Sequence, residues 1–167
     1  DKLILGVGST PNRFGWKGQN LKGVQSLYSY QDLELMEENT AVAKKAVIVG
    51  GGLIGIEMAE MLRTRNIEVT FLVKEEWFWG NVLPIEEGEM ISAHIEEHHV
   101  EVKTQTMLKE IVPDENGRVK HIITDKDEVI ECQFVGLTAG VRPNIDFMKD
   151  EDIATNRGVL VNEFLET

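Results

Sequence analysis

Disulfides, a membrane-length apolar run and a basic surface are all missing from this 167-residue chain. The single cysteine, Cys132, excludes an internal disulfide. It stands at the end of an alternating run and reads as a small buried apolar residue rather than a redox group. No apolar stretch approaches the roughly 18 to 20 residues of a membrane span. No signal-peptide pattern, internal repeat or low-complexity tract is visible, and a cytoplasmic location is expected. Seventeen basic residues against 29 acidic ones leave a formal net charge of −12. That balance argues against nucleic acid or an anionic membrane surface as partner. An acidic protein still accepts a nucleotide where local backbone dipoles supply positive potential. Apolar residues make up 42% of the chain, enough for the core of one compact domain.

The most informative segment that is present runs from Val47 to Arg63. Residues 46–49 form an apolar run that reads as a strand buried on both faces. A glycine turn follows, and then Ile54, Met58, Met61 and Leu62 recur at helical spacing. Gly50, Gly52 and Gly55 fit G-x-G-x-x-G between a strand and a helix, the context that gives that pattern meaning. Gly50 permits the tight turn, Gly52 lets a pyrophosphate approach the backbone, and Gly55 lets helix and strand pack closely. The helix N-terminus then offers free N–H groups and its positive dipole end to the phosphates. A bland glycine turn is the alternative. Residues 67–73 read as the second parallel strand, with Asn66 as a left-handed helix end. Together the unit spans about 30 residues, the size of a βαβ motif.

The rest can be placed coarsely. Residues 3–7 read as a strand and 9–22 as a crossing segment holding Trp16. Residues 30–39 read as a short helix, with Leu33 and Met36 inward and Leu35 a further candidate. A longer helix is expected over 85–98, behind Pro84, with Met90, Ile91 and Ile95 on its apolar face. A third parallel strand at 100–103 precedes three antiparallel segments near 106–112, 118–124 and 128–132. Residues 134–138 read as a last parallel strand. The expected fold is α/β: a Rossmann-like parallel sheet with flanking helices and a small antiparallel three-stranded meander.

Three separated motifs give the chain a family likeness. Residues 3–11 (LILGVGSTP) resemble an "LILATGSxP" segment, with Gly6 and Val7 where Ala and Thr are usual. Residues 50–57 resemble "GGGxIGxE", and residues 138–144 (TAGVRPN) resemble "ATGxxPN". In this order and spacing they resemble the NAD(P)H-binding domain of the FAD-dependent pyridine nucleotide-disulfide oxidoreductases. That resemblance implies a piece of a longer flavoprotein. The family's FAD-binding glycine motif lies before the first of these segments, and its "GD" segment follows a stretch like 158–162. On this basis residues 1–40 are assigned as a strand and crossing segment from the flavin domain plus a short helix. Residues 41–150 are the NAD(P)H domain, and 151–167 return toward the flavin domain. FAD would belong to the parent protein and not to these residues, and the isolated chain would be inactive.

The resemblance also implies roles for particular residues. Gly50, Gly52, Leu53, Ile54 and Gly55 would hold the pyrophosphate, Glu57 would lie near the nicotinamide carboxamide, and Gly140 would offer backbone beside the nicotinamide ribose. Leu53 stands where some relatives carry an aromatic lid, which its smaller side chain calls into question. No catalytic acid, base or nucleophile is assigned. The family's acid position after the second strand is Val73. Lys74 follows where NADPH users carry a cation, and Glu75 stands about 20 residues past Gly55, where an acid would bind a ribose diol. The reading leans to NADH through Glu75 and keeps NADPH open through Lys74. A solvated charged loop is the alternative. The implied partners are a flavin domain of the same polypeptide, an electron acceptor that these residues do not identify, and a second copy in a homodimer. A non-enzymatic dinucleotide-binding redox sensor is the competing function.

Two clusters remain. Trp77, Phe78 and Trp79 are either an aromatic wall facing adenine or the flavin domain, or a cover for the sheet edge. His94 and His98 have the i, i+4 spacing of metal ligands, with His99 and Glu97 adjacent. Nothing converges on them in sequence, and an ordinary solvated helix face is the preferred reading.

Overall fold

A computed structural model describes residues 2–167. In chain order the elements are β1 (Ser9–Pro11), β2 (Val24–Gln25), α1 (Tyr30–Thr40), β3 (Lys45–Val49), α2 (Leu53–Thr64), β4 (Glu68–Leu72), α3 (Ile85–Glu97) and β5 (Val100–Lys103). They continue with β6 (Leu108–Pro113), β7 (Val119–Thr124), β8 (Val129–Glu131), β9 (Phe134–Leu137), β10 (Val141–Pro143) and a single 3₁₀ turn, Asp146–Met148.

The central strand is β3, whose last four residues are all buried. It pairs in parallel with β4 on one side and β9 on the other, and the five-stranded sheet has the order β2-β9-β3-β4-β5. Because side chains alternate across a strand, β3 feeds two cores. Ala46 and Ile48 join Met58, Leu62, Phe71 and Phe134 beneath the helices. Val47 and Val49 join Leu72, Val135 and Leu137 on the opposite face. That second face is covered by the antiparallel sheet β6-β7-β8, which contributes Leu108, Ile111, Val119 and Ile122. The meander is therefore the second packing layer of the parallel sheet, which accounts for β3 being apolar on both faces. Truncating a fully buried ring such as Phe71 or Phe134 would cost about 3 to 5 kcal/mol.

Local signals explain the element ends. Ser29 and Asp32 form a reciprocal capping box at the start of α1. Helix α2 ends in a Schellman arrangement: Asn66 takes φ 60°, its N–H donates to the Arg63 carbonyl, and Ile67 N–H donates to the Leu62 carbonyl. His99 takes φ 59° after α3. The left-handed position is thus filled by histidine, without glycine's freedom from steric cost.

Several expectations are corrected. Residues 3–7 form no strand, and Leu3 and Ile4 are 82% and 92% exposed. Among the described residues no strand pairs with them, their expected partner being the sheet of a flavin domain. Instead β1 pairs antiparallel with β10. The two-residue strand β2, pairing in parallel with β9, lies in a stretch read as connection. Leu35 is 44% exposed and Met90 67% exposed, so neither belongs to its helix's buried face. On α3 that face is formed instead by Gly88, Ile91 and Ile95.

The crossing segment is held to the meander. Ile111 N–H donates to the Lys17 carbonyl at 2.9 Å, and Val119 N–H donates to the Lys22 carbonyl at 3.0 Å. Between these ties Gly18 lies at φ 84°, and a side chain there would collide with the Ile111 carbonyl. Phe14 and Trp16, stacked edge to face at 5.2 Å, are consequently brought over the C-terminal end of the sheet.

Candidate functional site

The glycine turn follows β3 and is built from three different demands. Gly50 has φ 115°, and a Cβ there would lie 2.7 Å from the Thr138 carbonyl oxygen. Only glycine meets both conditions without strain. Gly55 sits inside α2, where a Cβ would lie 2.6 Å from the Gly50 carbonyl oxygen. Its role is the close approach of helix to strand. Gly52 differs from both: an added Cβ would meet nothing within 4 Å. It is the N-cap of α2, and no side chain caps that terminus. The first-turn amides of a helix have no intrahelical acceptor, so the space beside Gly52 adjoins unpaired donors at the positive end of the dipole.

Thr138, at the end of β9, ties the turn in place. Its N–H donates to the Val49 carbonyl at 2.9 Å, and its hydroxyl lies 3.0 Å from the Gly50 carbonyl. Beyond it Gly140 takes φ 80°, held by Asn12, whose N–H donates to the Gly140 carbonyl and whose side-chain amide donates to the Ala139 carbonyl.

A cleft of about 840 Å³ runs over the C-terminal ends of β3, β4 and β9. Its floor is Gly50, Gly51 and Gly52, with Thr138, Ala139 and Gly140 toward β9 and Lys74, Glu75, Trp79 and Asn81 toward β4. Thr106 to Lys109 and Asp125 contribute from the meander, and Phe14 and Trp16 from the crossing segment. This volume suits a sizeable organic ligand. The carboxyl ends of strands at the point where the strand order reverses, here between β9 and β3, are where open α/β sheets place ligands. A smaller hollow of about 380 Å³ beside β10 is lined by Arg142, Asp146 and Arg157 and contains none of the glycine turn.

Of the residues expected from sequence, Gly50, Gly52, Lys74, Glu75 and Gly140 all line this one cleft. Leu53, Ile54, Gly55 and Glu57 lie outside its lining, with Gly55 buried and Leu53 and Glu57 exposed on α2. Val73 is fully buried, so the position directly after β4 holds an apolar side chain. Lys74 Nζ lies 3.6 Å from Glu75 Oε1, with the lysine side chain 72% exposed and the glutamate 21%. Gln105 N–H donates to the Glu75 carbonyl and Thr106 N–H to the Val73 carbonyl, which fixes this loop against the segment after β5.

The aromatic triplet divides. Phe78 is buried and meets Phe71 edge to face at 5.4 Å, so it belongs to the core. Trp77 donates its indole N–H to the Leu83 carbonyl at 3.0 Å and packs over Gly88. Trp79 alone lines the cleft. Sequence reasoning did not assign Thr138, Asn12 or Asn81; of these only Thr138 carried a signal, as the first residue of the motif around Gly140. His98 Nδ1 sits 2.9 Å from the His94 carbonyl, and among the described residues no group of three or more His, Cys, Asp or Glu could hold a metal ion. Cys132 is fully buried, and burial pushes its thiol up to about 12. No helix among the described residues is long and apolar enough to cross a membrane.

A parallel sheet, a glycine turn opening a helix, and a meander closing the second face define the class: an α/β domain of the FAD/NAD(P)-binding type. The chain belongs to the pyridine nucleotide-disulphide oxidoreductase family, which it matches over residues 1–167. It is 29% identical over 167 residues to the nitrite reductase (NAD(P)H) of Bacillus subtilis, covering 100% of this chain and 20% of that protein. It is also 29% identical over 168 residues to the rubredoxin-NAD(+) reductase of Acinetobacter baylyi, covering 99% of this chain and 43% of that one. A crystal structure of an FAD-dependent pyridine nucleotide-disulphide oxidoreductase from Desulfovibrio vulgaris superposes with a TM-score of 0.80 at 32% identity, over 93% of this chain and 40% of that one. The chain thus spans well under half the length of these relatives.

Proposed function

We propose that this chain binds NAD(P)H in the cleft and presents it for hydride transfer to an FAD held by another domain of the same polypeptide. One observation carries the reading: Gly52 leaves open space at an uncapped helix N-terminus on the cleft floor. A pyrophosphate needs that combination of unpaired N–H donors and no obstructing side chain. The Gly50, Gly52, Leu53, Ile54 and Gly55 backbone would hold it. Thr138 and Asn12 would position the Gly140 turn beside the nicotinamide ribose. Glu57, one turn further along α2, is placed near the carboxamide on resemblance alone. When bound, the two cofactors would supply the hydride-transfer chemistry, and the chain would supply placement and exclusion of water. Leu3, Ile4, Phe164 and Leu165 are exposed apolar side chains that a flavin domain could cover. The electron acceptor would lie beyond that flavin.

We further propose NADH as the preferred form, with Glu75 as ribose ligand. Its carboxylate is held at the cleft rim by a loop with two backbone ties, and an acid there gains from a diol and repels a 2′-phosphate. Lys74, more exposed and 3.6 Å away, is the residue through which NADPH would be accepted. Titration calorimetry with NADH, NADPH and FAD tests both proposals. Binding of the two nicotinamide nucleotides, NADH the tighter, without binding of FAD is expected. Tight FAD binding, or unchanged nucleotide affinity in a folded Gly52→Val variant, would overturn the assignment.

A further inference from the structure

We infer that the hollow beside β10 is a ligand site separate from the cleft, in which Arg142 and Arg157 hold the phosphate or carboxylate head of a small organic anion. It shares no lining residue with the cleft and does not depend on the dinucleotide reading.

Arg13, Arg63, Arg65 and Arg118 all donate hydrogen bonds within the chain, to Asn20, the Ile67 carbonyl, Thr40 and Asn39 respectively. Arg142 and Arg157 are the exceptions. Among the described residues neither guanidinium donates a hydrogen bond, and both line the same hollow. Two such cations on one surface repel each other unless an anion lies between them. Carboxylates are in excess in this chain of formal net charge −12, yet these two cations converge without a close one of their own.

Asp146 lines the hollow as well and does not cancel them. Its Oδ1 accepts from Lys149 Nζ at 2.7 Å, while Arg142 Nη2 stands 3.8 Å from its Oδ2. The lysine is therefore its main partner, and that hydrogen bond holds the Asp146 carboxyl below the usual carboxylate range. Arg157 has no carboxylate within ion-pair distance among the described residues.

Three segments distant in sequence bring the groups together. Strand β10 supplies Arg142, held by its pairing with Thr10 in β1. The turn at 155–159 supplies Asn156 and Arg157; it is closed by a bridge between Thr155 and Val159 and by Asn156 N–H donating to the Gly158 carbonyl at 2.9 Å. A Cβ added at Gly158 would come within 3.9 Å of the Pro143 ring, so the turn sits against β10. Asn12 comes from the crossing segment and is fixed by its bonds to the Ala139 and Gly140 carbonyls. The walls between are apolar, from Val141, Pro143 and Ile145. About 380 Å³ with apolar walls, two guanidinium forks and two carboxamides suits a small organic body with one anionic head. Arginine grips phosphate and carboxylate oxygens two at a time, and carboxamides serve a ligand's remaining donors and acceptors.

Phenyl phosphate and benzoate carry the two head groups on one apolar body, and benzyl alcohol carries neither. Calorimetric titration of each into the chain at one fixed ionic strength, with and without saturating NADH, tests the site. One-to-one saturable binding of phenyl phosphate or benzoate is expected, without binding of benzyl alcohol, and the tighter head group names the ligand class. Arg142→Gln and Arg157→Gln should each weaken that anion by about tenfold or more, as for loss of hydrogen bonds to a charged group. Arg157→Lys keeps the charge but loses the fork and should weaken it by a smaller factor. Lys120→Gln removes one charge from the exposed side of the meander and should change nothing. Because these side chains are exposed and lie outside the cleft, the variants should keep the wild-type melting temperature and NADH affinity. No saturable binding of either anion overturns the inference, as does equal binding of benzyl alcohol. Equal weakening by Lys120→Gln would mean a diffuse field rather than a site, and displacement of the anion by NADH would place it on the glycine turn; either also overturns it. A wild type that binds the anion at these arginines but no NADH supports the hollow and removes only the dinucleotide reading.

Discussion

The two ends of the loop-lined cleft are built on opposite principles. Around Gly50 and Gly52 the surface is made by leaving side chains out, and the groups on offer are backbone amides. Between Lys74 and Leu83 it is made by bulky and charged side chains on a loop tied by backbone and indole hydrogen bonds. Phosphate is the same in every nucleotide, so a bare backbone and a helix dipole recognise it without discrimination. Ribose substitution and base identity differ between nucleotides, and only side chains of particular shape and charge distinguish them.

The largest effect expected from breaking the bare end is on stability. Gly50→Ala forces a Cβ against the Thr138 carbonyl at φ 115°, and unfolding in urea should show a loss of about 4 kcal/mol. Gly52→Val sharpens the contrast, since a Cβ there has open space and the fold should survive. Its side chain would instead occupy the place proposed for the phosphate. NADH affinity should fall roughly 100-fold, about 3 kcal/mol, in a variant whose melting temperature is nearly unchanged.

At the side-chain end the expected effects are smaller and selective. Glu75→Gln should weaken NADH by on the order of 1 to 3 kcal/mol and narrow the gap to NADPH. Calorimetry at one fixed salt concentration reads this, because the contact is partly exposed. Lys74→Ala should change NADH affinity by no more than about 0.5 kcal/mol, as its pairing with Glu75 is long and solvated. Selective loss of NADPH in Lys74→Ala, with Glu75→Gln silent, would reverse the two assignments.

The smallest effect concerns a residue in the core away from either end. The folded-state pKa of Cys132 is raised, so its contribution to stability is fully present below the unfolded thiol's value. It is lost as pH rises from there toward about 12. A thiol reagent at pH 8 should label the native protein only as fast as the core opens and should label the urea-unfolded chain at once. Rapid labelling of the native protein would contradict the burial.

How much of this was legible in advance follows from how local each interaction is. The strand at 46–49, its glycine turn and the helix after it were readable because apolar periodicity and glycine spacing are written within about 20 residues. The meander was readable from alternation and turn residues for the same reason. That the meander would cover the second face of the parallel sheet was not, although β3 being apolar on both faces required some cover. Residues 3–7 read as a strand in the sheet of a flavin domain, and because a strand exists only with a partner they carry no ladder within this chain, where the first pairing is that of β1 with β10. Two-residue β2 has no periodicity to detect and is defined only by its place beside β9. Leu35 and Met90 sit at plausible helical positions, but which face of a helix is buried depends on what packs against it.

The candidate site divides along the same line. By itself the sequence determined the family, the glycine turn and the acidic and basic candidates after β4, because each depends on residue type at short spacing. Only the tertiary structure decided which member of the triplet Trp77, Phe78 and Trp79 faces core, helix or cleft. Only it showed that Asn12 and Thr138, over a hundred residues apart, secure one wall together. Those assignments rest on contacts between segments distant in the chain, whose register is set by sheet pairing and core packing rather than by any local preference of the residues themselves.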